Sequence, residues 1–325
     1  MESNVENEKP VRVAALDCGT NTYRLYVADV YPDGAQKQLC RETTIVRLGQ
    51  GVDKTGEIAP ESMARALAAA QKYGEILREL KPQVTRMVAT SASRDARNSH
   101  EFVAGVEAAI GVKPEVISGN EEAELAFSGA TRGLAGKFPA PYLVVDLGGG
   151  STELVLGTDR AEAAYSMDVG SVRLHERRLL TDPPTSGELA LAHDDVAAML
   201  AKASATVPLE RARTIVGVAG TVTSLTAFYL GLSQYDPKLV DGTALTVAET
   251  QQVCADMISM TKAERLALGF MQPGRADIIG AGALIWADVV AEVAARVAAA
   301  GGQIEAVVSR ESDMLEGIAD KIAAS

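Results

Sequence analysis

The sequence predicts an α/β protein assembled from two copies of one unit that face each other across a cleft. Residues 143–156 (LVVDLGGGSTELVL) read as strand, carboxylate, glycine-rich turn and strand, and residues 11–30 repeat that plan. Asp17 matches Asp146, Gly19 matches Gly148, Thr22 matches Ser151, Arg24 matches Glu153 and Leu25 matches Leu154, all at an offset of 129. A second motif keeps step. The strand 85–89 runs into TSASR as the strand 214–219 runs into GTVTS, with Ala89 matching Ala219 at an offset of 130. Two separate motifs at one spacing argue for duplication of a whole unit.

Residues 1–10 form a polar, acidic tail ending at Pro10. The run 11–16 is apolar and β-branched, as a buried strand requires, and 23–30 pairs with it ahead of the turn Pro32-Asp33-Gly34. Residues 60–80 carry Met63, Leu67, Ala70, Gly74 and Leu77 on one face, which predicts a core-facing helix. A helix at 95–110, a strand at 116–118 and a helix at 120–127 follow. The Gly- and Pro-containing stretch 133–141 sets the expected boundary between an N-terminal domain, 11–135, and a C-terminal domain, 136–325. In the second half, TDPPTSG at 181–187 is a turn before the helix 188–203, and a helix at 222–230 follows the strand 214–219. The pair 116–118 and 307–309 is offset by 191, which places a helical insertion at about 235–302. The Ala- and Val-rich helix 287–300 is core or a homodimer face, and Trp286 is core. The final helix is expected to pack back on the first domain. Two βββαβα halves with one glycine hairpin each describe the duplicated ribonuclease-H-like fold of the actin, Hsp70 and sugar-kinase superfamily, whose ligands lie between the halves.

Composition excludes several classes. The chain has 325 residues, 47% of them hydrophobic, enough for two cores. A net charge of −12 without a long basic run argues against nucleic-acid or anionic-membrane partners. Aromatics at 4% leave no stacking platform for single strands. No apolar run reaches membrane-spanning length. Cys18, Cys40 and Cys254 are widely spaced without a CxxC, so neither a disulfide framework nor a zinc site is expected, and a reducing cytoplasm is the default. His100, His175 and His193 show no metal spacing.

The hairpins carry the chemistry. Gly148, Gly149 and Gly150 allow a tight turn and bring backbone N–H groups to a ligand, and Ser151 adds a hydroxyl. Those groups suit phosphate oxygens, and Asp146 and Glu153 beside them suit Mg²⁺. Glu121 and Glu122 open a helix about 100° apart, so one at most faces the cleft. Both also fit as first-turn acids favoured by the helix dipole. Arg24 suits either a phosphate or a neighbouring carboxylate, and Arg173, Arg177 and Arg178 either a solvated face or a guide for a phosphate chain.

The pieces ALDCGTNTYRL (15–25), ATSASRDARN (89–98), VISGNEEAELAF (116–127), VVDLGGGSTEL (144–154), DVGSVRL (168–174), VGVAGTVTSL (216–225), VDGTALT (240–246) and GRADIIGAGALI (274–285) occur in one order. In that order the chain resembles the exopolyphosphatase/guanosine pentaphosphate phosphatase family, in its short, two-domain form. The resemblance implies that Glu122 is the general base and that Glu153 also acts near the attacking water. It implies a metal set of Asp17, Asp146 and Glu153, filled by Mg²⁺ with Mn²⁺ as substitute. Phosphates would be held by Asn21, Thr22, Arg24, Ser93, Arg94, Gly148, Gly149, Ser151, Gly220 and Thr221. The implied substrate is inorganic polyphosphate, or else the γ-phosphate of guanosine pentaphosphate. Thr20 and Thr22 stand where the family commonly has serines, keeping the hydroxyls and crowding the turn with methyls. A small-metabolite kinase of the same superfamily would need an adenine pocket, which nothing in the second half marks. A non-catalytic nucleotide sensor would not need Glu122.

Overall fold

A computed structural model describes residues 9–324, so residues 1–8 of the expected tail lie outside the described residues. β1 (Val11–Cys18), β2 (Thr22–Val30) and β3 (Gln36–Ile45) form an antiparallel meander, followed by α1 (Val52–Thr55) and α2 (Pro60–Leu80). β4 (Val84–Ala89) runs parallel to β1. α3 (Ser91–Asp95), α4 (Ser99–Ile110), β5 (Glu115–Val116) and α5 (Gly119–Thr131) complete the first half. The second half repeats the plan with β6 (Tyr142–Leu147), β7 (Thr152–Gly157), β8 (Ala161–Met167), α6 (Ser171–Arg178), α7 (Ser186–Ala203), β9 (Thr214–Val218) and α8 (Ala219–Tyr229). Then come α9 (Pro237–Val240), β10 (Ala244–Leu245), α10 (Val247–Ser259), α11 (Lys262–Ala267), α12 (Ile279–Ala299), β11 (Ala306–Ser309) and α13 (Met314–Ala323).

The sheets have orders β3-β2-β1-β4-β5 and β8-β7-β6-β9-β11, the second extended at its edge by β10. This is the duplicated α/β architecture that the repeat predicts. The hairpin registers match too: Asp17 lies opposite Arg24 and Asp146 opposite Glu153.

The central strands are covered on both faces, which is why their sequences are continuous apolar runs. In β1, Ala14, Leu16 and Cys18 face the first-half core, while Val13 and Ala15 pack under α13. In β6, Leu143, Val145 and Leu147 face the second-half core, while Tyr142 and Val144 pack under α5. The covering helices are exchanged. α5 packs on β6, β7 and β8, and α13 packs on β1, β2 and β4. The two helices meet at glycines. A Cβ on Gly129 would collide with the backbone of Asp313, and one on Gly317 with that of Leu125.

Two local expectations change. The helix at 95–110 is broken, because Ala96 is extended and Asn98 bonds Ile58 through both its side-chain Oδ1 (2.8 Å) and Nδ2 (3.0 Å). The strand at 116–118 shrinks to β5, since Ser118 leaves it to cap α5 by accepting the Glu121 N–H at 3.2 Å. Between α9 and α10, β10 pairs antiparallel with β11. Trp286 and the apolar side of α12, including Val289, Val290, Val293 and Val297, lie in the core. The three cysteines are free. Among the described residues no helix is long and apolar enough to cross a membrane.

Because the helices touch backbone to backbone, one added methyl overpacks the contact. Gly317→Ala should lower stability by about 1–3 kcal/mol, read as a shifted urea midpoint at unchanged slope. An unshifted midpoint would show that the crossing has room to relax.

Candidate active site

Alternation along the central strands aims their terminal carboxylates. Asp17 lies on the same face as Val13 and Ala15, toward α13, whose N-cap is Asp313. Asp146 lies on the same face as Tyr142 and Val144, toward α5, which carries Glu122 in its first turn. Exchange of the two helices therefore sets a second acid against each strand end. Asp17, Asp146, Asp313 and Glu122 all line a cleft of about 180 Å³ between the halves.

Two arginines serve these acids. Arg24 donates from Nε (2.8 Å) and Nη2 (2.7 Å) to the same Oδ2 of Asp17, and from Nη1 to Asp313. The other Asp17 oxygen, Oδ1, is buried without a partner. Arg94 Nη1 donates to Glu122 Oε2 at 2.8 Å and to the Ile117 carbonyl at 3.0 Å. Glu153 accepts from Ser166 Oγ at 2.7 Å. Burial pushes Glu122 up to about 7, against the pull of Arg94. Burial, and next the charge of Asp313, pushes Asp146 up to about 8. Burial holds Glu153 well above the usual carboxylate range, with Glu122 and Asp146 adding to it. Asp17 is also raised by burial, opposed by Arg24.

The phosphate-type hairpins close on matching backbone bonds, Gly19 N–H to Thr22 O (2.9 Å) and Gly148 N–H to Ser151 O (3.1 Å). The glycine triplet is needed for a reason other than turning. None of Gly148, Gly149 and Gly150 has a positive φ. A Cβ on Gly149 would stand 3.1 Å from Thr20 Cβ, and one on Gly150 2.8 Å from Thr20 Oγ1. The glycines let the two hairpins approach each other. α8 starts at the cleft with Ala219, Gly220 and Thr221. Its N-cap, Val218, supplies no side-chain bond, so its first N–H groups remain for an anion. Ala219 is held at φ 69°, a strained value for a residue with a side chain.

Of the predicted residues, Asp17, Asn21, Thr22, Arg24, Glu122, Asp146, Gly148, Gly149, Ser151, Gly220 and Thr221 line the cleft. Ser93, Arg94 and Glu153 lie behind its lining. Ser93 Oγ is buried without a partner, and Arg94 reaches the site by holding Glu122. Arg24, expected among the phosphate groups, is engaged by carboxylates. Within the expected metal set of Asp17, Asp146 and Glu153, the carboxylates differ in how many oxygens are free. Among the described residues no three His, Cys, Asp or Glu side chains are placed to cage a metal ion. Arg24 occupies one oxygen of Asp17, and Ser166 turns one oxygen of Glu153 toward β8. Asp17 Oδ1 and the Asp146 carboxylate still fit Mg²⁺, which takes one or two carboxylates and completes its shell with water and phosphate. Glu121 is outside the site, paired with Arg86 (2.7 Å) and Lys321 (3.5 Å).

The structure adds Asp313, Arg41, Arg275 and Arg310 to the cleft. Asp313 was within reach of the sequence, since the offset of 191 that pairs Ser118 with Ser309 also pairs Glu122 with it. Arg275 lies in GRADIIGAGALI; it packs over Gly220 and donates to Ser224 Oγ at 2.9 Å, with no carboxylate partner among the described residues. Arg41 pairs with Glu316 and Arg310 with Asp241. No sequence signal marks those two.

Comparison with known proteins follows the same lines. A model of the Ppx/GppA phosphatase family matches residues 27–311. Exopolyphosphatase 2 of Mycobacterium tuberculosis (strain ATCC 25618 / H37Rv) is 46% identical over 320 residues, covering 96% of this chain and 98% of that protein. The crystal structure of an exopolyphosphatase-like protein superposes with a TM-score of 0.93 at 43% identity, covering 97% of this chain and 99% of that one. The Aquifex aeolicus PPX-GPPA enzyme superposes with a TM-score of 0.76 at 28% identity, covering 96% and 99%.

The raised pKa of Asp146 has a consequence for stability. Between the usual carboxylate range and about pH 8, the folded chain keeps a proton on Asp146 that the unfolded chain has lost. Stability therefore falls as pH rises through that window. Asp146→Asn removes the liability and should be more stable than the parent at pH 8 by about 1–2 kcal/mol, with the gap narrowing as pH falls. Chemical denaturation across pH reads this, and a pH-independent gap would show that Asp146 is ionised throughout.

Proposed function

The chain belongs to the Ppx/GppA phosphatase family, and on that premise we propose that it is an Mg²⁺-dependent exopolyphosphatase releasing terminal orthophosphate from inorganic polyphosphate. The observation that carries this reading is Glu122, a buried carboxylate facing the cleft, fixed by Arg94 and opposite two phosphate-type hairpins. The likeness to a mycobacterial protein named exopolyphosphatase supports polyphosphate as the substrate. The three free cysteines support a reducing, cytoplasmic setting.

The terminal phosphoryl group lies between the hairpins, bound by backbone N–H groups of 149–151 and the hydroxyls of Thr22, Ser151 and Thr221. The N-terminus of α8 and Arg275 oppose its negative charge. Glu122 takes a proton from a water aimed at phosphorus. The water oxygen forms the new P–O bond, and the bridging P–O bond breaks, with its electrons leaving on the shortened chain. Asp17 and Asp146 would hold Mg²⁺, which when bound neutralises charge on the phosphate oxygens. A carboxylate poised near neutrality is a better base than an ordinary one, and burial supplies that shift at Glu122.

Glu122→Gln should lower turnover on long-chain polyphosphate and tripolyphosphate by about 10²–10⁴-fold while leaving substrate binding in place. Phosphate release measured with and without Mg²⁺, with guanosine pentaphosphate and ATP in parallel, reads both base and substrate. Wild-type turnover in the variant would remove Glu122 from the mechanism, and faster hydrolysis of guanosine pentaphosphate would move the substrate to the nucleotide. Arg94 favours the ionised form of Glu122. In Arg94→Gln the acid limb of kcat/KM should therefore move to higher pH. An unmoved limb would mean that another group titrates.

A further inference from the structure

The two-turn helix α6 carries more cross-cleft bonds than its length requires. Its first turn is fastened to the glycine hairpin, with the Val172 and Arg173 N–H groups donating to the Gly149 carbonyl at 2.9 and 3.1 Å. Its side chains then reach the other half. Arg173 Nη2 donates to Ser91 Oγ at 3.4 Å and pairs with Asp95, while Nη1 lies 3.5 Å from Asp53. Arg177 grips the same Asp53 through Nε (2.5 Å) and Nη2 (2.6 Å). Glu176 accepts the Gly51 N–H at 3.0 and 3.1 Å. Arg178, the next residue of the same basic cluster, differs: it pairs with Asp195 inside its own half at 2.6 and 2.8 Å.

The position of these bonds matters. Ser91 and Asp95 bound α3, the short helix that carries Arg94, and Arg94 holds Glu122. Arg173 thus ties the segment that positions Glu122 to the hairpin that would hold phosphate. Its attachment also differs in kind from the α5–α13 crossing. That crossing is apolar and made of backbone contacts, whereas here one member of each pair reaches water, with Asp95 40% exposed against 13% for Arg173 and Arg177 39% against 24% for Asp53. Exposed pairs break and re-form readily and weaken in salt. A contact of that sort closes a cleft reversibly.

We propose that α6 is an ionic latch between the halves and that Arg173 is a positioning residue, seating α3, and with it Arg94 and Glu122, against the glycine hairpin. The proposal rests on reading the cleft as the phosphate site, but closure itself is measurable without substrate. If the closed form is the binding-competent one, apparent affinity falls with its population.

The test is steady-state kinetics on tripolyphosphate together with the radius of gyration from small-angle scattering at low and high KCl. Arg177→Gln should raise KM about 3–10-fold at nearly constant kcat. Arg173→Gln should in addition lower kcat about 10-fold, partly restored by Arg173→Lys. Arg178→Gln, with its partner in the same half, should change neither. The double variant Arg173→Gln/Arg177→Gln should be expanded at low salt to the radius that the parent reaches only at high salt. Parent-like radius and kinetics in the double variant, or an equal effect of Arg178→Gln, would overturn the latch. Salt-driven expansion in a protein that releases no phosphate would keep the latch and reject the hydrolase reading instead.

Discussion

Five buried or nearly buried carboxylates, Asp17, Asp146, Asp313, Glu122 and Glu153, share two guanidinium groups, and most of the structure answers to that imbalance. A charge removed from water is tolerable only if it is paired, coordinated or neutralised by a proton. Arg24 settles Asp17 and Asp313, and Arg94 settles Glu122. Asp146 and Glu153 have no ion-pair partner among the described residues, and the strongest upward shifts fall there. A cleft in this state suits the hard cation proposed for it, whose shell phosphate oxygens would complete.

The imbalance comes from an unequal duplication. At matching positions of the two hairpins the first half has Asp17 with Arg24, and the second has Asp146 with Glu153. At matching positions of the exchanged helices, α13 brings Asp313 and α5 brings Glu122. One triad is acid, base, acid and largely neutralises itself. The other is three acids. The same fold, used twice, thus gives one side that is largely neutralised and braces the halves, and another that concentrates acid and carries Glu122, the proposed base.

Much of this was legible in the residues. Constant offsets announced the duplication, because a repeated backbone keeps its hairpins in register. The apolar runs announced strands covered on both faces. What escaped depended on contacts distant in sequence. The break between α3 and α4 is fixed by Asn98 reaching Ile58, which no local pattern encodes. The glycine triplet does form the turn between two strands, but not for the reason of backbone freedom. Its glycines are there so that Thr20 and Ser91 of the other half can come close. Arg41 and Arg310 enter the cleft only through tertiary folding. Asp313 was encoded, though only for a reader who carried the offset of 191 through to Glu122.

Burial favours the protonated forms of Asp146 and Glu153, and a metal bound at the cleft would displace such protons. Calorimetric titration of the protein with Mg²⁺ near pH 7, repeated in buffers of different ionisation enthalpy, measures that directly. Binding should release protons, fewer in Asp146→Asn. Binding with no proton released, or with protons taken up, would contradict it.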